Sequence, residues 1–268
     1  MEVIRDPAAF PRPSGGSAVT IGAYDGVHLG HRALIGQVRD AAAARGLQSV
    51  VVTFDRHPAE VVRPDSAPKL LTDLEQKLEL LATTGVDATL VVHFDEDRAH
   101  EPAEDFVTEI LLDALNSRIV SVGADFHFGH RRGGNVAMLQ AMGETSGFDV
   151  VPIELVSIPG VDGPVSSTRI RGALRDGDVE LAAALLGRPH EVRGSAHDGV
   201  LTVPDDIALP AAGAYTGSYD GHVGEIVVGD VITVADRISD PQCHVCFVAP
   251  LEGSRQGDVE GSARRLGS

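Results

Sequence analysis

From Val19 to about Leu186, short and nearly unbroken apolar runs alternate with stretches of helical periodicity. That alternation is the strongest constraint on the fold. Ser49 to Phe54 (SVVVTF) and Ala88 to Phe94 are too apolar for half-exposed strands and read as strands buried on both faces. Val19 to Tyr24, Ile119 to Gly123 and Val150 to Leu155 complete the candidate strands. Between them lie helical patterns at His31 to Arg45, Thr72 to Thr83, Ala103 to Leu115 and Val136 to Met142. In the second, Leu74, Leu78 and Leu81 share a face, and Thr72 with Glu75 suits a capping box. Strands and helices in alternation predict βαβ units, hence an α/β, Rossmann-like parallel sheet with helices on both faces. Ligands of such sheets bind beyond the carboxyl ends of the strands.

The pattern changes after Gly187. From Glu191 onward Gly, Asp and Val dominate, and candidate strands are short: Val223 to Val228, Asp230 to Ala235 and His244 to Val248. The expected organisation is a first domain over 1–187, a small β-barrel or sandwich over 188–252 and a disordered tail over 253–268. Lys plus Arg total 22 against 39 Asp plus Glu, a net charge of −17. A chain this acidic lacks the basic face of a non-specific nucleic-acid binder, so no nucleic-acid partner is expected. Two Cys exclude a multi-disulfide scaffold and fit a reducing compartment. Met1 to Gly16 has no apolar signal core, and no uncharged apolar stretch of about 18 residues occurs, so a cytoplasmic location without a membrane partner is expected. GxGxxG is missing after the first strand and GK[ST] is missing throughout, which argues against a dehydrogenase and a P-loop kinase.

The chemistry-bearing segments all follow candidate strands: GAYDGVHLGH (22–31), FDRHP (54–58) and GADFHFGHRRGG (123–134). In the first, Gly22, Gly26 and Gly30 allow close approach of a ligand to backbone. His28 and His31, spaced around a glycine near the start of a helix, suit an anion, and specifically a nucleotide α-phosphate during substitution. Two surface histidines or a metal pair are the plainer alternatives. Ser166-Ser167-Thr168-Arg169-Ile170-Arg171 opens another helical run. It reads as a phosphate cradle or, more plainly, as an N-cap followed by solvated arginines.

Taken together, GAYDGVHLGH, VVTFDRHP, KLLTDLEQKLELL, VGADFHFGHRRGG and SSTRIR resemble, in order and spacing, the bacterial FAD synthetases. These are bifunctional riboflavin kinase/FMN adenylyltransferases of the HxGH nucleotidyltransferase superfamily. The resemblance covers roughly Val19 to Arg193. It implies transfer of AMP from ATP to FMN with Mg²⁺, releasing pyrophosphate. By motif, His28 and His31 are the pair at the α-phosphate, and Arg171 and Asp125 are further catalytic candidates. Gly22, Ala23, Tyr24, Asp25, Gly26, Gly30, Ser166, Ser167 and Thr168 are expected around ATP. Asp55, Arg56, His57, Pro58, Phe126, Phe128 and Gly129 are expected on the FMN side, with no dedicated protein metal site. Phe126 and Phe128 suit either ring stacking or core packing at strand period. Arg131 and Arg132 suit either a phosphate or solvent.

Three positions depart from the family pattern: Tyr24 for Phe, Arg56 for Pro and Asn135 for Asp. The second module departs further. LGRPHEVRG (186–194) and ALPAAGAYTG (208–217) resemble parts of the kinase barrel, but HDGVLTVPDDIALP (197–210) stands where the family has a GFPTAN-type segment. Kinase activity is therefore expected to be lost. Cys243 and Cys246 fall on opposite faces of a strand, against a metal site. Two other functions compete with FMN adenylylation: nucleotidyl transfer to another phosphorylated small molecule, flagged by Arg56, and non-catalytic binding of a flavin or nucleotide. Oligomeric state is not legible.

Overall fold

The structure is a computed structural model that describes residues 1–154, 157–158, 161–219, 221–234 and 240–251. The expected tail over 253–268 lies outside the described residues, as do Leu155 and Ala235 at the ends of two expected strands. The chain divides into two compact units, one of Met1–Pro68 and Leu74–Val165, the other of Lys69–Asp73 and Ser166 onward. Helices over 167–186 thus group with the C-terminal strands.

In the first unit the elements are β1 (Glu2–Ile4), β2 (Ser17–Ile21), α1 (Leu29–Arg45), β3 (Gln48–Phe54), α2 (Pro58–Val62) and α3 (Leu74–Ala82). They continue with β4 (Ala88–Val92), α4 (Glu96–His100), α5 (Ala103–Phe106), β5 (Ser117–Gly123), β6 (His127–Phe128), β7 (Gly134–Asn135) and α6 (Val136–Ser146). Last come β8 (Asp149–Ile153), β9 (Ser157–Ile158) and β10 (Val161–Pro164). Six strands form one parallel sheet in the order β1-β4-β3-β2-β5-β8. The chain builds outward from β2 through β3 and β4, then crosses back to β5 and β8. The strand order therefore reverses between β2 and β5, the place beyond whose carboxyl ends sheets of this kind bind ligands.

Alternation along the central strands separates the two faces. Val50 and Val52 of β3 join Leu90 and Val92 of β4 in a core with Ile110, Leu111 and Leu139. Val51 and Val91 face Tyr24, Ile35, Leu78 and Leu81 instead. Helices therefore cover both faces, as the sequence predicts. Each fully buried Val or Leu side chain contributes about 1.5–3 kcal/mol relative to exposure.

Three local differences from the sequence reading have physical causes. The first strand ends at Ile21, not Tyr24, because Tyr24 turns to a left-handed φ of 51°. The helix expected over Ala103 to Leu115 is α5 followed by a π-helical stretch, Val107–Ala114, which closes with the Leu115 amide donating to the Ile110 carbonyl at 3.1 Å. And β1, flanked by charged residues, exists because Glu2 to Ile4 pair with Ala88 to Leu90 of β4.

The second unit contains α7 (Ser167–Arg175), α8 (Val179–Leu186), β11 (His190–His197), β12 (Val200–Thr202), β13 (Gly213–Tyr219), β14 (His222–Val228), β15 (Ile232–Val234) and β16 (Asp240–Pro250). The six strands close into an antiparallel barrel in the order β11-β12-β15-β14-β13-β16. Inward residues such as Tyr215, Tyr219, Ile226, Val245 and Phe247 are buried. Cys243 also points inward, whereas half-buried Cys246 lies on the other face near Glu191. Lys69 to Asp73 belong here because Leu70 bridges to Ile207, its amide donating to the Asp206 carbonyl and its carbonyl accepting from Ala208.

Candidate functional site

Because β3, β2 and β5 are adjacent and parallel, their carboxyl ends lie along one edge. Each carries one of the singled-out segments of the first unit: FDRHP after β3, GAYDGVHLGH after β2 and GADFHFG after β5. Topology alone gathers them.

The segment after β2 is built tightly. Tyr24 and Val27 hold positive φ, and Gly26 sits at 82°. The Tyr24 ring is buried, its hydroxyl sharing a 2.6 Å hydrogen bond with Thr20 Oγ1. Burial pushes the phenol's pKa up. Its ring meets His31 edge-on at 5.0 Å, and a Cβ on Gly22 would lie 3.2 Å from it. Tyr24 thus shapes the loop from within the core.

His28 has two structural positions at once. It is the N-cap of α1, its Nδ1 accepting from the His31 amide at 3.2 Å. Its ring also stacks on His31, with centroids 3.5 Å apart and planes 16° from parallel. An accepting Nδ1 carries no proton, so this arrangement assigns neutral His28 its proton at Nε2. Gly30 leaves room between them, since a Cβ there would press on the His28 ring at 3.2 Å. His31 Nδ1 is buried without a hydrogen-bond partner. Burial first, then the neighbouring His28 and Lys77, holds its pKa well below the usual 6.5. The pair is therefore two neutral imidazoles at a helix start, where first-turn amides lack intrahelical acceptors. Such a set offers hydrogen bonds to an oxyanion without first giving up a proton.

The segment after β3 is ordered by its own bonds. Asp55 accepts from the Phe94 amide at 3.0 Å and pairs with His93 at 2.5 Å. Desolvation opposes ionisation, but the His93 and Phe94 bonds prevail and hold the Asp55 carboxyl below its ordinary pKa. His57 caps α2 in a reciprocal capping box with Glu60, and Pro58 occupies the first turn. Arg56 is half exposed, 4.0 Å from Asp55.

After β5, Asp125 is exposed, and Phe126 and Phe128 stack on one another at 5.3 Å. Both also pack partly buried against the core, so core packing and a flat aromatic face coexist. Gly129 is required: its φ is +70°, and a Cβ would lie 2.6 Å from Ala103 Cβ. Arg131 and Arg132 follow with left-handed φ of 52° and 60°. Asn135 caps α6, a role Asp fills equally well.

The SSTRIR segment lies in the second unit. Ser166 caps α7, accepting from the Arg169 amide at 3.3 Å. Ser167 and Thr168 form its first turn, and Arg171 Nε donates to the Lys69 carbonyl at 2.5 Å.

Sequence reasoning missed Lys77. It is buried on α3 and donates to the carbonyls of Phe54 (2.8 Å) and Ala23 (3.3 Å), at the ends of β3 and β2. Desolvation, only partly offset by Asp25, Asp55 and Glu60, brings its pKa down to about 8. Its sequence signals are scarcity, since Lys69 and Lys77 are the chain's two lysines, and its spacing from Leu74 and Leu81 on the apolar face of the helix.

Fold and site together define an α/β protein with an HxGH segment at its topological switch point. Residues 11–169 match the FAD synthetase family model. The bifunctional riboflavin kinase/FMN adenylyltransferase of Escherichia coli K12 is 40% identical over 182 residues, covering 68% of this chain and 58% of that protein. The Pseudomonas fluorescens protein of the same description is 39% identical over 194 residues, covering 72% and 61%. The chain thus matches about three-fifths of the length of these curated relatives. A solved structure described as a macrolide-efflux protein from Streptococcus pneumoniae superposes with a TM-score of 0.78 at 25% identity, covering 93% of this chain and 90% of that one. The chain belongs to the FAD synthetase family.

Proposed function

We propose that the first unit is an FMN adenylyltransferase, transferring AMP from ATP to FMN to give FAD and pyrophosphate. The observation that carries this reading is the stacked, neutral His28–His31 pair at the start of α1. A phosphate oxygen of FMN attacks the α-phosphorus of ATP. A P–O bond forms on that side as the bond to the bridging oxygen breaks in line, and pyrophosphate leaves with its electron pair. His28 Nε2–H and the His31 imidazole, whose Nδ1 has no hydrogen-bond partner, donate to α-phosphate oxygens as charge accumulates there. Phe126 and Phe128 offer the flavin an aromatic face.

The residues fit Mg²⁺ arriving with the triphosphate. Magnesium keeps several waters and takes one or two protein carboxylates besides phosphate oxygens. Among the described residues no group of three His, Cys, Asp or Glu is placed to hold a metal alone. Asp25, on the loop that carries both histidines, is the carboxylate at hand. When bound, Mg²⁺ would neutralise charge on the departing pyrophosphate.

The reading includes loss of riboflavin kinase activity. Supporting it, the segment that replaces the GFPTAN-type sequence is engaged in the barrel itself. His197 pairs with Val200 across the β11–β12 turn, and Ile207 bridges to Leu70. The test is incubation with ATP, Mg²⁺ and either FMN or riboflavin, read by chromatography. FAD and pyrophosphate from FMN, with no FMN from riboflavin, is the expected result. FMN from riboflavin refutes the loss of kinase activity. ATP binding without product from FMN refutes the acceptor assignment, and a screen of other phosphorylated metabolites for pyrophosphate release follows.

A further inference from the structure

Of 22 Lys and Arg residues, two are lysines, and one of those is 7% exposed inside the first unit. Burying an ammonium is costly unless hydrogen bonds and opposite charge offset the loss of water. Lys77 lies on the face of α3 that also carries Leu74, Leu78 and Leu81, and an apolar residue there would pack without that cost.

The position of the ammonium suggests what requires it. Two of its three protons go to the Phe54 and Ala23 carbonyls, and Thr53 Oγ1 donates to the same Ala23 carbonyl at 3.2 Å. These acceptors sit where β3 and β2 run out into the loops bearing Asp55–Pro58 and Asp25–His31. The titratable groups facing the ammonium include three carboxylates, Asp25 before α1, Asp55 after β3 and Glu60 on α2, and the neutral His31 on α1. Arginine, used 20 times elsewhere in this chain, is a planar fork that does not place a point charge between two carbonyls.

We propose that Lys77 is a positioning residue for phosphate chemistry at the His28–His31 pair, tying the ends of β2 and β3 together and giving that site a fixed positive charge which its neutral imidazoles lack. The inference rests on the proposed adenylyl transfer. It adds a residue that acts through the two loops, not by contact with the reacting atoms. Burial is the main reason His31 stays neutral, and the Lys77 charge adds to it after His28.

The test compares wild type with Lys77→Met, which is apolar and of similar length. In the FMN assay kcat should fall by about 100-fold while KM for ATP changes by less than about threefold, the pattern of a misplaced but formed site. Independently of turnover, the His31 ring titration followed by NMR should move to higher pH in Lys77→Met, because one of the charges opposing protonation is gone. A purely structural lysine would move melting temperature and KM without the kcat-selective loss. Wild-type kcat in a folded variant, or an unmoved His31 titration, overturns the proposal. If wild type itself makes no FAD, it is the adenylyltransferase reading that has failed, and the His31 titration alone decides the role of Lys77. Should Lys77→Met not fold, Lys77→Gln is measured by the same two readings.

Discussion

The double placement of His28, as helix cap and as imidazole in the site, can be separated by substitution. His28→Ala removes the Nδ1 acceptor of the His31 amide and the ring stacked 3.5 Å from His31. The cap bond is long at 3.2 Å, so its loss should cost about 1 kcal/mol. Losing the packing of a ring on a residue only 5% exposed adds about 1–2 kcal/mol, for about 2–3 kcal/mol in all. His28→Asn restores a capping oxygen and should recover about 1 kcal/mol of that loss. Neither variant restores the Nε2–H donor, so both should lose about 10²–10³-fold in kcat. Urea unfolding gives the stabilities, and pyrophosphate release from ATP and FMN gives the rates. The reasoning is refuted if Asn unfolds no later than Ala, which removes the cap, or if Asn turns over like wild type, which removes the chemistry.

Two further outcomes are expected. Gly129→Ala should disrupt the turn after Phe128, because its Cβ would overlap Ala103 main-chain and side-chain atoms at φ +70°. A drop of about 2 kcal/mol or more in stability and weaker flavin binding, read by fluorescence quenching, would agree, whereas unchanged values would not. The second concerns pH. The Lys77 pKa falls from the usual 10.5 to about 8 on folding, so between those values the unfolded chain holds the extra proton and stability rises with pH. The total gain is about 3 kcal/mol. Below pH 8 the folded state carries the cost of the buried charge. Tyr24, its phenol raised by burial, gives the opposite slope above about pH 10. Wild type minus Lys77→Met cancels that background, and parallel unfolding curves for the two proteins would contradict the assignment.

How much was legible in the chain depended on how local the cause was. The central strands announce themselves because both faces are buried, which leaves no place for alternating polar residues and makes SVVVTF nearly all apolar. The histidine pair was legible because its spacing, its glycine and its helix start are contiguous. Tyr24 was read as the end of a strand and as a pocket residue. Its turn into the core follows from Thr20 and His31, which only the folded loop brings to it. Likewise β1 depends on a partner more than 80 residues away. The barrel strand β16 was read as five residues, His244 to Val248, because Pro241 and Pro250 and its polar residues break the pattern. Pairing with both β11 and β13 extends it to Asp240–Pro250. Lys77 sits among Glu75, Gln76 and Glu79, where a lysine ordinarily reads as a solvated helix face. Its spacing from Leu74 and Leu81 puts it on the apolar face, but a sequence does not show whether the ammonium there is buried or reaches past that face to solvent.

The barrel and the six-stranded parallel sheet also differ in what they leave unpaired. The barrel closes on itself, so its ladder offers no free rim to a second chain. The parallel sheet has two borders, β1 and β8. The first is three residues long. The second carries Pro152, which has no amide proton to donate, and Asp149 at its start, paired with Arg45 at 2.6 Å. Short length on one side, and a missing donor with a charged end on the other, make both poor templates for a neighbouring strand. Among the described residues, neither border of the six-stranded sheet thus invites strand-by-strand polymerisation, and the sheet ends at its own edges by what those edges lack.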